Sequence, residues 1–294
     1  MTFQSPVVRS ITSLREVITG WYNNGKTVAL VPTMGALHEG HLSLVELAQK
    51  KADHTVVSIF VNPAQFAPHE DLDTYPRDET ADRNKLSHLR TNLIYAPPRE
   101  QMYASDFSTK ISVEGISNGL CGDSRPNFFS GVATVVCKLL FQVSPNFAIF
   151  GEKDYQQLMV IRRMVRDLDI PVQIIGAPII READGLAMSS RNAYLSEQER
   201  SLAPKLQETI HSMAVNIAMG EPIGDQLQLG ITSLKADGFK VDYLEARDAN
   251  NLAPIYSSGP VHKTKLPAIR IFAAAYLGKT RLIDNVAVPA AKSQ

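Results

Sequence analysis

The chain has few cysteines and no long apolar run, and it carries no excess of either charge. Its 294 residues include two cysteines, Cys121 and Cys137, without the C-x-x-C spacing of redox or zinc sites. Thirty basic residues balance thirty acidic ones, which argues against a general binder of nucleic acid or of anionic membranes. No stretch approaches the ~20 apolar residues that span a bilayer, and no apolar signal core begins the chain. We expect a cytoplasmic protein with buried thiols and with neither a membrane nor a nucleic-acid partner.

The length predicts two domains, and the pattern of the first 183 residues predicts an α/β domain. Short apolar runs alternate there with segments of helical spacing, which is typical of a parallel sheet covered by helices. We therefore predict a Rossmann-like parallel sheet with helices on both faces over residues 1–183. The predicted strands are Thr27–Val31, Thr55–Val61, Leu93–Tyr95, Phe147–Phe150 and Val172–Gly176.

Residues 184–294 have a different pattern and predict a smaller α+β domain. Ser196 followed by Glu199 is a capping box that predicts a helix running to Gly220, and a second helix is expected to end near Gly238. Strands then follow one another, with a tight turn through Leu277-Gly278-Lys279, which is typical of an antiparallel sheet. The predicted strands are Val241–Glu245, Ile269–Tyr276 and Arg281–Val286.

The run Pro32–His41 places two glycines and two histidines where a predicted strand turns into a helix beginning near Gly40. A helix start offers unpaired N–H groups and a partial positive charge, so an anion is stabilised there by backbone alone. The pattern is equally consistent with a surface feature or half of a metal site. The metal interpretation is weakened because His38-Glu39-Gly40-His41 lacks the His-Glu-x-x-His spacing, and no Cys/His cluster supplies further ligands.

Gly20–Thr27 matches the P-loop pattern, but its context is the reverse of what that motif requires. A P-loop follows a strand and precedes a helix. Here a helical stripe, with a capping box predicted at Ser13 and Glu16, comes before the loop, and the strand-like run Thr27–Val31 comes after it. We therefore interpret the match as accidental.

Three further polar clusters follow predicted strands or lie at the predicted domain junction. Asn62 and Gln65 follow the second strand, Gly151–Gln157 leaves the strand Phe147–Phe150, and Met188–Asn192 lies at the junction. Open parallel sheets bind ligands at the carboxyl ends of their strands. Hydroxyls and a guanidinium, as in Met188–Asn192, suit phosphate oxygens, and at a hinge they would form a lid. Taken singly, the first two clusters are also consistent with an ordinary Asn-Pro turn and a solvated loop.

In combination these motifs resemble those of the pantoate–β-alanine ligases, within the nucleotidylyl-transferase superfamily. The resemblance covers nearly the whole chain and includes His38–His41 as the His-x-Gly-His element. Its other motifs are Phe60–Phe66, Asp71–Arg77, Arg125 with Phe128–Val136, Gly151–Leu158, Met188–Asn192 and Arg281–Asn285. The resemblance implies that ATP and pantoate form pantoyl adenylate and pyrophosphate, and that β-alanine then displaces AMP. It also implies a homodimer and Mg²⁺ as cofactor.

The resemblance further implies a role for each matching residue. Catalytic roles fall to His38, His41, Lys153 and Arg191. ATP binding is expected at Pro32, Thr33, Met34, Gly35, His38, His41, Gly151, Lys153, Asp154, Ile180, Met188, Ser189, Ser190 and Arg191. Pantoate binding is expected at Met34, Gln65, Arg125 and Gln157. Mg²⁺ would bridge phosphates near Asp82, where Asp78 and Glu79 compete for the role and a plain surface carboxylate is the alternative.

Two other functions remain open from the residues alone. A nucleotidylyl transferase that acts on another small acid or phosphate would carry the same His-x-Gly-His element, although Gln65 and Gln157 favour the ligase. A nucleotide-responsive binding module would bind ATP without turnover. Pantoate-dependent exchange of pyrophosphate into ATP separates the three.

Overall fold

The computed structural model describes residues 3–67, 70, 72–256 and 267–290. Within them the chain forms two compact units. The first contains most of the chain up to Ile179, and the second contains the chain from Ile180 on. Two short segments, Asn118–Ser124 and Lys153–Met159, also belong to the second unit, although the chain around them belongs to the first.

The structure places its helices and strands in the order that the sequence pattern predicts, with several short additions. The strands are β1 (Val7–Val8), β2 (Val28–Thr33), β3 (His54–Ile59), β4 (Leu93–Tyr95), β5 (Phe147–Gly151), β6 (Gln173–Ala177), β7 (Lys240–Asp248), β8 (Ile269–Leu277) and β9 (Thr280–Ala287). The helices are α1 (Ile11–Asn23), α2 (Glu39–Lys51), α3 (Glu79–His88), α4 (Arg99–Met102), α5 (Cys121–Ser124), α6 (Phe128–Val143), α7 (Tyr155–Asp167), α8 (Glu197–Leu202), α9 (Lys205–Met219) and α10 (Ile223–Ala236).

The first unit is built on a six-stranded parallel sheet with strand order β1-β4-β3-β2-β5-β6. From β2 the chain runs outward through β3 and β4 and then returns to the other side of β2 as β5. The order therefore reverses between β2 and β5, and this is the position at which open parallel sheets bind ligands. The predicted α/β class with a parallel sheet is confirmed.

Both faces of this sheet are covered because its central strands are apolar on both sides. Ala29 and Val31 of β2 pack with residues of α2 such as Val45 in one buried cluster. Side chains alternate along a strand, so Tyr95 points away from the face that its neighbour Ile94 shares with this cluster. The hydroxyl of Tyr95 donates to Gln142 of α6, 3.0 Å away, which places α6 on the opposite face.

The second unit combines the antiparallel sheet β7-β8-β9 with α8, α9 and α10. Its core packs apolar faces of the helices, such as Ile210 and Leu234, against sheet residues such as Ile271. Strands β8 and β9 are joined by a two-residue loop, with Leu277 opposite Thr280 and Gly278 at a φ of 54°. This is the tight turn that the sequence predicts, and the predicted antiparallel set is confirmed.

Two local predictions are wrong. The N-cap of α1 is Ser10, whose side chain accepts the N–H of Ser13, and the predicted box of Ser13 and Glu16 therefore lies inside the helix. The capping box at Ser196 and Glu199 is present, but its helix stops at Leu202 and a second helix, α9, begins at Lys205 after Pro204. Proline has no N–H to continue the helical ladder, which accounts for the break.

The P-loop match is an accident of sequence, as predicted, because it lies between helix α1 and strand β2. Both cysteines are buried and form no disulfide. Across the described parts of the chain, no helix has the length and apolar character needed to cross a membrane.

Candidate active site

In the first unit, the loop from β2 to α2 is held in a conformation that few residues adopt. Gly35 and Ala36 have φ values of 81° and 50°, and Thr33 anchors the loop start by donating its hydroxyl to the carbonyl of Ser58 at 2.7 Å. The same hydroxyl oxygen accepts the N–H of Gly35 at 3.3 Å. The predicted ATP residues Pro32 to Gly35 therefore lie at the carboxyl end of β2, beside the reversal of strand order.

Asp82 fixes the next two residues of this loop from helix α3. Its carboxylate oxygens accept the N–H groups of Ala36 and Leu37 at 2.9 and 2.8 Å, and the residue is 2% exposed. Burial raises the pKa of Asp82 above its usual value, against the opposing effect of the two backbone N–H groups. Lys85, one turn later, donates to the carbonyl of Leu37.

This geometry gives Asp82 a positioning role in the loop, and its role as a metal ligand stays a prediction. Each carboxylate oxygen of Asp82 binds one backbone N–H group and has a second lone pair for a further partner. The two competing carboxylates are also engaged: Asp78 caps α3 through the N–H of Ala81, and Glu79 pairs with Arg9 at 2.6 Å. Among the described residues there is no group of three or more His, Cys, Asp or Glu side chains that could hold a metal.

His38 and His41 form a reciprocal cap at the first turn of α2. Nδ1 of His38 accepts the N–H of Gly40 at 3.1 Å, and Nδ1 of His41 accepts the N–H of His38 at 3.4 Å. The two ring centroids are 4.1 Å apart. Because Nδ1 is the acceptor in each ring, the proton of the neutral imidazole lies on Nε2, and each histidine can donate from Nε2 to an anion.

Gln65 lies in a short 3-10 turn, Pro63–Gln65, that follows β3 and is held by a buried asparagine. Asn62 is 1% exposed, and its Nδ2 donates to Oε1 of Gln65 and to the carbonyl of Gly131, both at 3.1 Å. Its Oδ1 accepts the hydroxyl of Tyr103 at 2.8 Å. Asn62 therefore sets the orientation of the Gln65 amide, with the amide nitrogen available as the donor side.

Helix α6 approaches this turn so closely that only glycine fits at position 131. A Cβ on Gly131 would overlap the carbonyl oxygen of Ala64 and lie 2.8 Å from the nitrogen of Gln65. Gly131 lies within the motif Phe128–Val136, but its role could not be predicted, because an isolated glycine in an apolar helix has no local signal that indicates a close backbone approach.

The structure brings the predicted residue Arg125 to Gln65 but pairs it with a carboxylate. Its guanidinium binds Glu70 through Nε and Nη2, both at 2.7 Å, and Nη2 also donates to the carbonyl of Gln65 at 3.3 Å. Arg125 also stacks on Phe128, with its Cζ 3.7 Å from the ring centroid. A substrate carboxylate at this arginine would therefore meet a guanidinium whose charge Glu70 already balances. The sequence analysis did not single out Glu70.

Gly151 ends β5 opposite Ala177, and the chain enters the second unit two residues later. There Lys153 and Asp154 lie in the 3-10 turn Glu152–Asp154, and Gln157 lies in the first turn of α7. Nδ2 of Asn285 donates to the carbonyl of Lys153 at 3.0 Å. Asn285 belongs to the Arg281–Asn285 motif, to which the sequence analysis assigned no role.

A second group of predicted ATP residues lies together in the second unit. The N–H of Met188 donates to the carbonyl of Ile180 at 3.0 Å, beside an antiparallel bridge that joins Arg181 and Ala187. Ser189 caps the 3-10 turn Ser190–Tyr194 by accepting the N–H of Arg191 at 3.3 Å. Five of the predicted residues therefore share one hairpin-like segment: Ile180, Met188, Ser189, Ser190 and Arg191.

Residues 6–287 match the family model described as pantoate-beta-alanine ligase. The chain belongs to the pantoate–β-alanine ligase family. Among curated relatives, the pantothenate synthetase of Rhodospirillum rubrum is 54% identical over 286 residues, which is 96% of this chain and 99% of the relative. That of Caulobacter vibrioides is 54% identical over 283 residues, 96% of this chain and 98% of the relative.

Solved structures of this ligase family have the same fold. A pantothenate synthetase from Thermus thermophilus has a TM-score of 0.89 and 42% identity, covering 96% of this chain and 99% of that one. A pantoate-beta-alanine ligase from Francisella tularensis, complexed with beta-gamma ATP and beta-alanine, has a TM-score of 0.80 and 34% identity. The match covers 96% of this chain and 97% of that one. The family that the sequence motifs resemble is thus confirmed.

Proposed function

We propose that this protein uses ATP to condense pantoate with β-alanine, releasing AMP and pyrophosphate. Membership of the ligase family supports the reaction, as does the similar Francisella protein, which was crystallised with an ATP compound and β-alanine. The observation in this chain that carries the proposal is the histidine pair. The two imidazoles bind backbone N–H groups through Nδ1 at the N-terminus of α2, and imidazoles at a helix N-terminus suit an oligophosphate.

The reaction proceeds in two balanced steps. A pantoate carboxylate oxygen attacks the α-phosphorus of ATP, the bond from that phosphorus to the β-phosphate oxygen breaks, and pyrophosphate leaves. The β-alanine amine then attacks the acyl carbon, the bond to the AMP oxygen breaks, and the amine loses a proton. Neither step requires a covalent bond to the protein, so the protein acts by positioning and by stabilising charge on the phosphates.

Each residue predicted to bind ATP has a role in this scheme. His38, His41, Lys153 and Arg191 stabilise the phosphate charge, with help from the hydroxyls of Ser189 and Ser190. The Gly151 backbone and the Asp154 carboxylate receive the ribose, whose hydroxyls can donate to a carboxylate. The remaining ATP contacts come from Pro32, Thr33, Met34, Gly35, Ile180 and Met188.

Pantoate is bound by Gln65 and Gln157, with Met34 and Arg125 beside it. The Gln65 amide nitrogen donates to pantoate because Asn62 already donates to the amide oxygen. Arg125 orients this turn through the Gln65 carbonyl while Glu70 balances its charge.

The remaining parts of the proposal concern cofactor, assembly and location. Mg²⁺ would accompany ATP and stabilise negative charge on its phosphates, with the carboxylate of Asp82 as the predicted protein ligand. The protein is a cytoplasmic homodimer, residues 1–183 bind the nucleotide and pantoate, and residues 184–294 act as a lid domain.

The test is exchange of labelled pyrophosphate into ATP. We expect exchange that depends on pantoate and needs no β-alanine, followed by AMP release only when β-alanine is added. Exchange with another acid in place of pantoate would instead indicate a different nucleotidylyl transferase. ATP binding without exchange for any acid would indicate a binding module.

Substitution of His41 and Lys153 tests their proposed roles in stabilising charge on the phosphates. His41→Ala and Lys153→Ala are expected to lower the exchange rate by about 10²–10³-fold, the loss typical of removing one donor that stabilises transition-state charge. His211→Ala and Lys205→Ala, at exposed positions of α9, are matched controls and should leave exchange unchanged. Unchanged rates in both site variants would show that the phosphates bind elsewhere.

A further inference from the structure

Lys153 is held in place by residues of the antiparallel sheet, which follow it by more than 110 positions in the chain. Asn285 of β9 is 2% exposed and uses both ends of its amide. Its Nδ2 donates to the carbonyl of Lys153 at 3.0 Å, and its Oδ1 accepts from Nη1 of Arg270 on the neighbouring strand β8. One buried amide thus links the lysine backbone to two strands.

The same guanidinium also holds Tyr155, two residues after the lysine. The Cζ of Arg270 lies 3.9 Å from the ring centroid of Tyr155. The Tyr155 hydroxyl donates to the carbonyl of Ala249 at 3.0 Å, and the ring meets Phe272 edge-on at 5.8 Å between centroids. The segment is therefore fixed at the Lys153 carbonyl and again at the Tyr155 ring.

Gln156 supplies a third attachment. It is buried, its Oε1 accepts the N–H of Cys121 at 3.1 Å, and its Nε2 donates to the carbonyl of Gly119 at 3.1 Å. All these partners belong to the second unit. The backbone of Lys153 is thus fixed by the second unit, although the lysine directly follows strand β5 and Glu152 of the first.

From this geometry we infer that Asn285 is a positioning residue for Lys153. A lysine ammonium acts as a point charge on a flexible stem, so the position of its backbone sets the region that the charge can reach. A displacement of about 1 Å at a reacting centre can cost ~10²-fold in rate. Asn285 limits this displacement by binding the lysine carbonyl directly. The inference rests on the proposed role of Lys153 in adenylation.

The test is a double-mutant cycle on the adenylation step. Asn285→Asp keeps the acceptor for Arg270 but places a carboxylate oxygen against the Lys153 carbonyl. We expect it to lower the rate of pantoate-dependent pyrophosphate exchange by ~10–100-fold at saturating substrates, with the KM for pantoate unchanged. Asn216→Asp is the matched control, since the side-chain amide of Asn216 makes a similar hydrogen bond to Gln226 within the same unit. This substitution should leave exchange unchanged.

A positioning role also predicts that the two substitutions are not additive. In a Lys153→Ala background, Asn285→Asp should lower exchange no further, because the charge that it positions is gone. An equal fractional loss in both backgrounds, or a loss that appears only as a fall in thermal stability, would overturn the inference. If Asn285→Asp does not fold, Asn285→Ser, whose hydroxyl is too short to reach the Lys153 carbonyl, is measured against the same outcomes.

Failure of this inference is distinguishable from failure of the proposed function. Lys153→Ala without effect on exchange would remove the role of the lysine, and with it the basis of the inference. If Lys153→Ala lowers exchange and Asn285→Asp does not, only the positioning role of Asn285 is refuted.

Discussion

The close approach of α6 to the Gln65 turn gives a sharp test of how the proposed pantoate site is built. A methyl group on Gly131 would overlap the carbonyl of Ala64 and lie 2.8 Å from the nitrogen of Gln65, and these are backbone atoms that no rotamer change can move aside. In Gly131→Ala the turn must retreat from the helix by roughly 0.5–1 Å. The bond from Asn62 to the carbonyl of Gly131 would lengthen with it.

The expected effect has two parts. Overpacking costs about 1–3 kcal/mol of stability, offset by up to ~1 kcal/mol because alanine favours the helix more than glycine does. Movement of Gln65 by about 1 Å should break its proposed hydrogen bond to pantoate, a loss of about 1.5–3 kcal/mol that weakens binding ~10–100-fold. The KM for ATP should change little, because the loop Thr33–His38, which is proposed to bind ATP, is held by other partners.

The assay is pantoate-dependent pyrophosphate exchange, measured with thermal unfolding on the same samples. Two helical glycines serve as controls. Gly20→Ala, with open space around it, should stabilise the protein by up to ~1 kcal/mol and leave kinetics unchanged. Gly230→Ala meets Sδ of Met213 at 2.5 Å and Cδ2 of Leu244 at 2.9 Å, and should lower stability through overpacking without raising the KM for pantoate.

The comparison with Gly230→Ala decides the outcome. If Gly131→Ala lowers stability but leaves the KM for pantoate at the wild-type value, the approach of α6 supports folding only. The reasoning that links helix, turn and substrate would then be refuted.

Two further outcomes follow from ionisable groups whose pKa is shifted by burial. Asp82→Ala leaves the N–H groups of Ala36 and Leu37 without their acceptor and should lower the unfolding free energy by about 2–4 kcal/mol. The exposed N-cap variant Asp78→Ala in the same helix should cost about 1 kcal/mol. Equal losses in denaturant titrations would contradict the positioning role of Asp82. Burial lowers the pKa of His54 below 6.5, and its Nδ1 is buried with no hydrogen-bond partner among the described residues. The unfolded state therefore binds more protons below about pH 6.5, so stability should fall as the pH drops toward 5. His54→Phe keeps a ring stacked on Trp21 and should flatten this dependence in urea midpoints, and an unchanged slope would contradict the assignment.

Sequence pattern was enough to predict the architecture because the strands that matter are apolar on both sides. Val28–Val31 is fully buried, and this run identifies a central parallel strand without any knowledge of its partners. The two-residue strand β1 and the four-residue helix α4 are too short to show any periodicity, and the sequence analysis missed both. The break at Pro204 was missed because the capping box marks where a helix begins and says nothing about where it ends.

The sequence was less informative about the site, because the residues that hold it in place are distant from it in the chain. The residues proposed to touch substrate lie in contiguous motifs, so Gln65, Lys153 and the loop before His38 could be identified by local context. Their partners come from distant positions: Gly131 reaches the Gln65 turn, and Asn285 reaches Lys153. Each partner is a common residue in an ordinary strand or helix, and only the tertiary fold gives it a role.

These partners share a physical property that explains why the site depends on them. Asn62, Asp82 and Asn285 are each at most 2% exposed. Asn62 binds the side-chain amide of Gln65, Asp82 binds backbone N–H groups of the loop before His38, and Asn285 binds the carbonyl of Lys153. Gln65, His38 and Lys153 are all proposed to act on substrate. A buried polar group left without its partner costs about 1–3 kcal/mol, so the fold is penalised whenever the turn or loop moves away. The same bonds that stabilise the fold therefore hold the site in one geometry. Substitution of these three residues should thus change stability and rate together, whereas Lys153→Ala should change rate with little loss of stability.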